Sequence, residues 1–161
     1  MSVDIRLALA ADTDAIWTML EPVFRAGQTY AIDSKISRDG ALAYWLGENA
    51  YVAEADGAPL GTFYIQENRP GGGAHYCNCG FVTGPGAEGR GVARAMLEYA
   101  LVAAKELGFQ GMVFNFVVES NARAVALWQR YGFEIVGRVP NAFQPLGSDD
   151  QSDALVMFKA L

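Results

Sequence analysis

Residues 84–93, "GPGAEGRGVA", place four glycines within eight positions, at the junction of two segments with different patterns. The preceding run, "HYCNCGFVT" (75–83), reads as a strand. After the glycines, Val92, Ala93, Met96, Leu97, Ala100, Leu101, Ala104 and Leu107 recur at helical spacing, which predicts a helix over 90–107 ended by Gly108. A helix start leaves its first amides unpaired and carries the positive end of the dipole. Glycines let the backbone adopt positive φ and come close to a ligand. Strand, glycine loop and helix together therefore suit an anion such as a phosphate, with Arg90 and Arg94 in the first turns as charged supplements. The same glycines also serve a plain strand-to-helix turn. No Gly-Lys-Ser/Thr ending is present, which excludes a P-loop. Gly84, Gly86 and Gly89 match G-x-G-x-x-G formally, but the loop lies in mid-chain after hairpin-like strands, not in an opening βαβ unit.

The rest of the chain frames this loop. "VDIRLA" (3–8) reads as a first strand, and Asp12 or Asp14 opens a helix to about Arg25 with Ile16, Leu20, Val23 and Phe24 in one stripe. Ser37 is the N-cap expected for a short helix that includes Leu42, Trp45 and Leu46. "AYVAEA" and "PLGTFYIQE" form a hairpin about Asp56-Gly57. "GMVFNFVVE" is a buried strand, Asn121 caps a helix through Tyr131, and "GFEIVGRV" and "DALVMFKAL" are the last strands. Trp17, Phe24 and Trp45 fall at core spacings. The expected class is α/β with a mixed sheet, in one domain over residues 1–161.

The formal net charge of −6 argues against nucleic-acid and anionic-membrane partners. No apolar run is long enough for a membrane span, and the N-terminus lacks a signal-peptide layout. Cys77 and Cys79, two apart in a strand, cannot readily bond to each other, and two free thiols fit a reducing cytoplasm. With the single His75 they supply too few ligands for a metal, so none is expected.

Two motifs together resemble the GNAT N-acetyltransferase superfamily. "GAEGRG" (86–91) stands where that family has Q/R-x-x-G-x-G/A, and "NFVVESNARAVALWQRYGFEIVGR" resembles its N-x-x-A-x-x-L-Y-x-x-x-G-F segment at Asn121, Ala124, Leu127, Trp128, Gly132 and Phe133. The motifs cover about residues 80–138, and the strand and helix order of the whole chain agrees. The resemblance implies a sheet of about seven mostly antiparallel strands with about four helices, split in a V between the fourth and fifth strands. It implies acetyl-CoA in that split and transfer of its acetyl group to an amine.

Carried over residue by residue, the loop from Gly84 and Gly86 through Gly89, Arg90, Gly91, Val92, Ala93 and Arg94 would hold the pyrophosphate. Backbone at Phe81, Val82 and Thr83 would pair with the pantetheine arm, near Asn121, Ala124 and Trp128. A fourth-strand amide, at Val82 or its neighbour, would polarise the thioester carbonyl. Two positions depart from the pattern. Gly86 replaces the usual Gln or Arg, and Trp128 replaces the Tyr that protonates the departing thiolate; an indole N–H is no useful acid. Tyr131 is the nearest replacement acid, or a packing residue at the helix end. His75, Glu119 and Glu54 are the candidate bases, alongside a water chain to solvent. Asn115, read as a buried amide in need of partners, and Tyr30, in the loop between the first two helices, are candidates for the acceptor side.

The expected acceptor is the amine of a small molecule. A protein or peptide amine and a catalytically weak CoA-binding module are the alternatives. Homodimers are common in the superfamily.

Overall fold

The computed structural model describes residues 2–161. The strands are β1 (Asp4–Leu7), β2 (Ala50–Ala55), β3 (Ala58–Glu67), β4 (Tyr76–Thr83), β5 (Gly111–Val118), β6 (Glu134–Phe143) and β7 (Ser152–Ala160). The helices are α1 (Thr13–Ala26), α2 (Arg38–Trp45), α3 (Val92–Glu106) and α4 (Ala122–Arg130), with short 3-10 turns at Ala10–Asp12 and Gly71–Gly73. All seven strands form one sheet in the order β1-β2-β3-β4-β5-β7-β6. Every neighbouring pair is antiparallel except β4 and β5. The α/β class, mixed sheet and element order agree with the sequence reading.

Local chemistry explains the elements. Asp56 and Gly57 both take positive φ, which matches the right-handed twist of the β2–β3 hairpin. The Ser37 side chain accepts from the Gly40 amide and caps α2. The α3 helix begins at Val92 because Gly91, in the left-handed region, is its N-cap, so Arg90 lies outside it. Asn121 stands at the N-cap of α4, but its side chain makes no capping hydrogen bond. The β6 strand runs further than its sequence pattern suggests, as far as Phe143 opposite Ser152. A register shift accommodates Asn141, whose amide donates to Asp153 Oδ1 at 2.9 Å.

The sheet is covered on both faces. Against one face α1 and α2 bury Ile16, Leu20, Phe24 and Trp45 on Val52, Tyr64 and Val82. Against the other, Met96, Leu97 and Ala100 of α3 and Trp128 of α4 pack on Phe63, Ile65, Met112 and Phe114. Burial of these apolar side chains is the main driving force for folding. Trp17, expected in the core, is only partly buried at its edge, with the Arg25 guanidinium 5.5 Å from its ring centroid.

One buried polar residue ties α2 to the sheet. Thr62, fully buried, accepts from Trp45 Nε1 at 2.9 Å and donates to the Tyr51 carbonyl at 2.9 Å. Thr62→Val keeps the shape and removes both bonds. It should lower stability by about 1–3 kcal/mol, read as a lower urea midpoint at unchanged m-value.

Candidate active site

The two central strands part almost as soon as they meet. β4 and β5 pair at Tyr76↔Gly111 and Cys77↔Met112 and nowhere further along. The next register position would join Asn78 to Val113. There the Asn78 side chain takes over, its Nδ2 donating to the Val113 carbonyl at 2.9 Å. Beyond it the strands diverge around a cleft of about 680 Å³.

This cleft exposes backbone in the middle of a sheet. The Gly84 amide donates to the Leu60 carbonyl, and β3 and β4 pair in continuous register from there to Glu67↔Cys77. Antiparallel alternation therefore turns the backbone of Val82 and Gly80 toward β3, and that of Thr83, Phe81 and Cys79 toward the split. Groups so placed need a partner. The Phe81 carbonyl has one: the Tyr30 hydroxyl donates to it at 2.9 Å.

The glycine loop closes one end of the cleft. Ala87 is buried and anchors it, while Gly86, Gly89 and Gly91 all take positive φ. A Cβ at any of the three would meet nothing within 4 Å, so conformation, not crowding, calls for glycine there. α3 has no side-chain cap and no acidic residue in its first turn. Among the described residues, the amides of Gly89, Gly91, Val92 and Ala93 donate to no backbone carbonyl. Unpaired amides at the positive end of a helix fit a diphosphate. Arg94 and Arg123 line the cleft at this end.

The opposite end is built by β3, β4, α2 and the segment between α1 and α2. Tyr64 lies across from Gly80, where a Cβ would stand 2.6 Å from its ring, so Gly80 makes room for it. The Tyr64 hydroxyl donates to Asn78 Oδ1 at 3.1 Å and lies 3.3 Å from the Tyr44 hydroxyl. Burial pushes the Tyr30 and Tyr64 hydroxyls well above the usual phenol range, so both stay neutral donors. Asn115 is exposed on the cleft wall instead of buried, and its Nδ2 donates to Asn68 Oδ1 at 2.6 Å.

Of the residues singled out in the sequence, Phe81, Val82, Thr83, Gly89, Gly91, Val92, Ala93, Arg94, Asn121, Ala124 and Trp128 line the cleft, as do Tyr30 and Asn115. Gly84, Gly86 and Arg90 shape the loop without lining the cleft. The candidate acid and bases do not line it either. His75 precedes β4 at the closed end of the split, exposed beside Tyr76. Glu119 is exposed and paired with Arg138 at 2.8 Å, and Glu54 is paired with Arg6 at 3.0 Å. The Tyr131 hydroxyl donates at 2.5 Å to Glu98, itself paired with Arg94 at 2.9 Å. That bond to a carboxylate raises the Tyr131 pKa and lowers that of Glu98.

Trp128 fills the position of the missing tyrosine as an aromatic wall, its ring centroid 5.3 Å from Phe81 and 5.0 Å from Phe114. Tyr44, Tyr64, Asn78 and Arg123 are cleft residues that the sequence reading missed. Only Arg123 carried a signal, two residues after Asn121 in the same motif.

The profile of the Acetyltransferase (GNAT) family matches residues 14–133. An N-acetyltransferase of Schizosaccharomyces pombe, aca1, is 31% identical, covering 81% of this chain and 71% of its own. A GCN5-related N-acetyltransferase structure from Kribbella flavida is 36% identical with a TM-score of 0.93, over 99% of this chain and 98% of that one. The putative acetyltransferase yncA of Salmonella typhimurium, solved with acetyl-CoA, superposes at a TM-score of 0.85 and 21% identity, over 100% of this chain and 95% of its own.

Two substitutions probe this geometry. Gly91→Val forces a β-branched residue toward positive φ and should weaken acetyl-CoA binding about tenfold or more, measured by calorimetry, while circular dichroism stays native. Tyr131→Phe should leave kcat within about twofold, because the hydroxyl is spent on Glu98; loss of a general acid would instead cost roughly a hundredfold.

Proposed function

Because this chain belongs to the GNAT acetyltransferase family, we propose that it transfers the acetyl group of acetyl-CoA to the amine of a small molecule bound in the β4–β5 cleft. Acetyl-CoA is the cosubstrate. One observation carries the assignment of its place: the split sheet runs into an uncapped helix start preceded by Gly86, Gly89 and Gly91 at positive φ. The diphosphate would sit on the amides of Gly89, Gly91, Val92 and Ala93, with Arg94 and Arg123 near. The pantetheine arm would add to the open edge of β4 at Thr83 and Phe81, flanked by Asn121, Ala124 and Trp128.

The reaction needs little from side chains. The free amine attacks the thioester carbonyl, and the oxyanion forms against a backbone N–H. Val82 is engaged with Thr62 in the β3–β4 ladder, so its neighbour Phe81, whose amide faces the split, supplies that donor. The C–S bond then breaks, and water carries the amine's proton to the departing thiolate. Holding both reactants in line is the enzyme's main contribution. Tyr30 and Ile32 wall the acceptor end of the cleft, which supports a small acceptor over a protein tail. The unpaired, buried thiols of Cys77 and Cys79 support a reducing, cytoplasmic setting.

Titration of the purified protein with acetyl-CoA, with dephospho-CoA alongside, tests the reading. Micromolar binding and amine-dependent thiol release are expected. Binding without thiol release for any amine would leave a CoA-binding module; no binding by a folded protein would remove the reading.

A further inference from the structure

The charge in the cleft is segregated. Among the described residues that line it, the charged side chains are Glu88, Arg94 and Arg123, all on the loop, α3 and α4. The acceptor end presents Tyr30, Tyr44, Tyr64, Asn78, Asn115 and Phe116, every one uncharged. Its hydroxyls and amides form a fixed network. Tyr44 and Tyr64 are 3.3 Å apart, Tyr64 donates to Asn78, and Asn78 donates to the Val113 carbonyl. Asn115 donates to Asn68, which leaves its own carbonyl oxygen as an acceptor on the cleft wall.

Two consequences follow for the molecule that enters. An acceptor with a carboxylate or phosphate would find no cation there, and an ammonium would find no carboxylate. An unpaired charge moved from water into such a site is disfavoured. The second consequence concerns the proton. An alkylamine is protonated at neutral pH and must lose a proton before it attacks. No imidazole or carboxylate lines the acceptor end: His75 lies outside the cleft, and Glu119 and Glu54 are paired with Arg138 and Arg6. A weakly basic amine arrives already neutral and needs neither a counter-charge nor a base.

Building on the acetyltransferase reading above, we infer that the acceptor is an uncharged, weakly basic amine on an aromatic body, of the arylamine or arylhydrazine class. Its ring packs among Tyr30, Tyr64 and Phe116, and an N–H of the amine donates to the Asn115 carbonyl oxygen. The nitrogen lone pair forms the new C–N bond and the C–S bond breaks. The N–H proton reaches the thiolate through water, giving the N-acetyl product and CoA.

Three probes with one ring each but different charge test this: phenylhydrazine (neutral), benzylamine (a cation) and phenylalanine (a zwitterion). Thiol release above the enzyme-free rate is measured at neutral pH with the full chain. The kcat/KM for phenylhydrazine should exceed that for benzylamine by about tenfold or more, with phenylalanine below detection. Equal or better turnover of benzylamine or phenylalanine would overturn the inference. So would no turnover of all three by protein that binds acetyl-CoA in the calorimeter, which leaves the acetyl-CoA reading standing. Absence of acetyl-CoA binding would instead overturn that reading. In Asn115→Asp a carboxylate joins the wall, and the benzylamine-to-phenylhydrazine ratio should rise about tenfold. An unchanged ratio, with acetyl-CoA affinity intact, would remove Asn115 from the acceptor site.

Discussion

The early parting of β4 and β5 is the constraint on which the site depends. Two paired positions hold the strands together, and the Asn78 side chain bridges the next step by reaching the Val113 carbonyl. Past that point, each strand keeps only one partner in the sheet, β3 for β4 and β7 for β5. A sheet opened in its middle has backbone donors and acceptors with nowhere to go, and a bound chain of atoms can take the place of the missing ladder. The cleft is thus a consequence of pairing, not of a hole left by small side chains.

Both helical layers are arranged around that opening. On one face, α3 packs Met96 and Leu97 into the core, which fixes its uncapped start at the cleft mouth. On the other, Trp45, Tyr30 and Phe24 meet edge to face, and this cluster holds the segment that walls the end of the cleft away from the glycine loop. The Tyr30 hydroxyl then reaches the Phe81 carbonyl, so the same side chain packs a loop and satisfies the open edge of β4. Tyr64 does similar double service, packing over Gly80 while its hydroxyl supports Asn78 at the vertex. The charged side chains of the cleft, Glu88, Arg94 and Arg123, remain at the glycine-loop end.

The sequence was most informative where one residue type meets one backbone demand. The glycines at 86, 89 and 91 marked the loop because positive φ is cheap only for glycine. Asp56-Gly57 marked the hairpin and Ser37 the start of α2 for similarly local reasons. It was least informative for chemistry between side chains. Tyr131 follows Trp128 by one helical turn and read as a substitute acid, yet its partner, Glu98, comes from another helix. His75, the one imidazole in the chain, borders the cleft strand in sequence and lies at its closed end in space.

By itself, the sequence determined the order of strands and helices, the position of the glycine loop and the family, because each follows from periodicity, turn chemistry or a local motif. Only the tertiary structure decided which polar groups share the cleft. Asn78, Tyr64, Tyr44, Tyr30 and Asn115 come from three strands, a helix and a loop, and their meeting depends on strand register and on where β4 leaves β5. Register is set by long-range pairing, and a one-residue change would turn the strand side chains Tyr64, Asn78 and Asn115 to the opposite face.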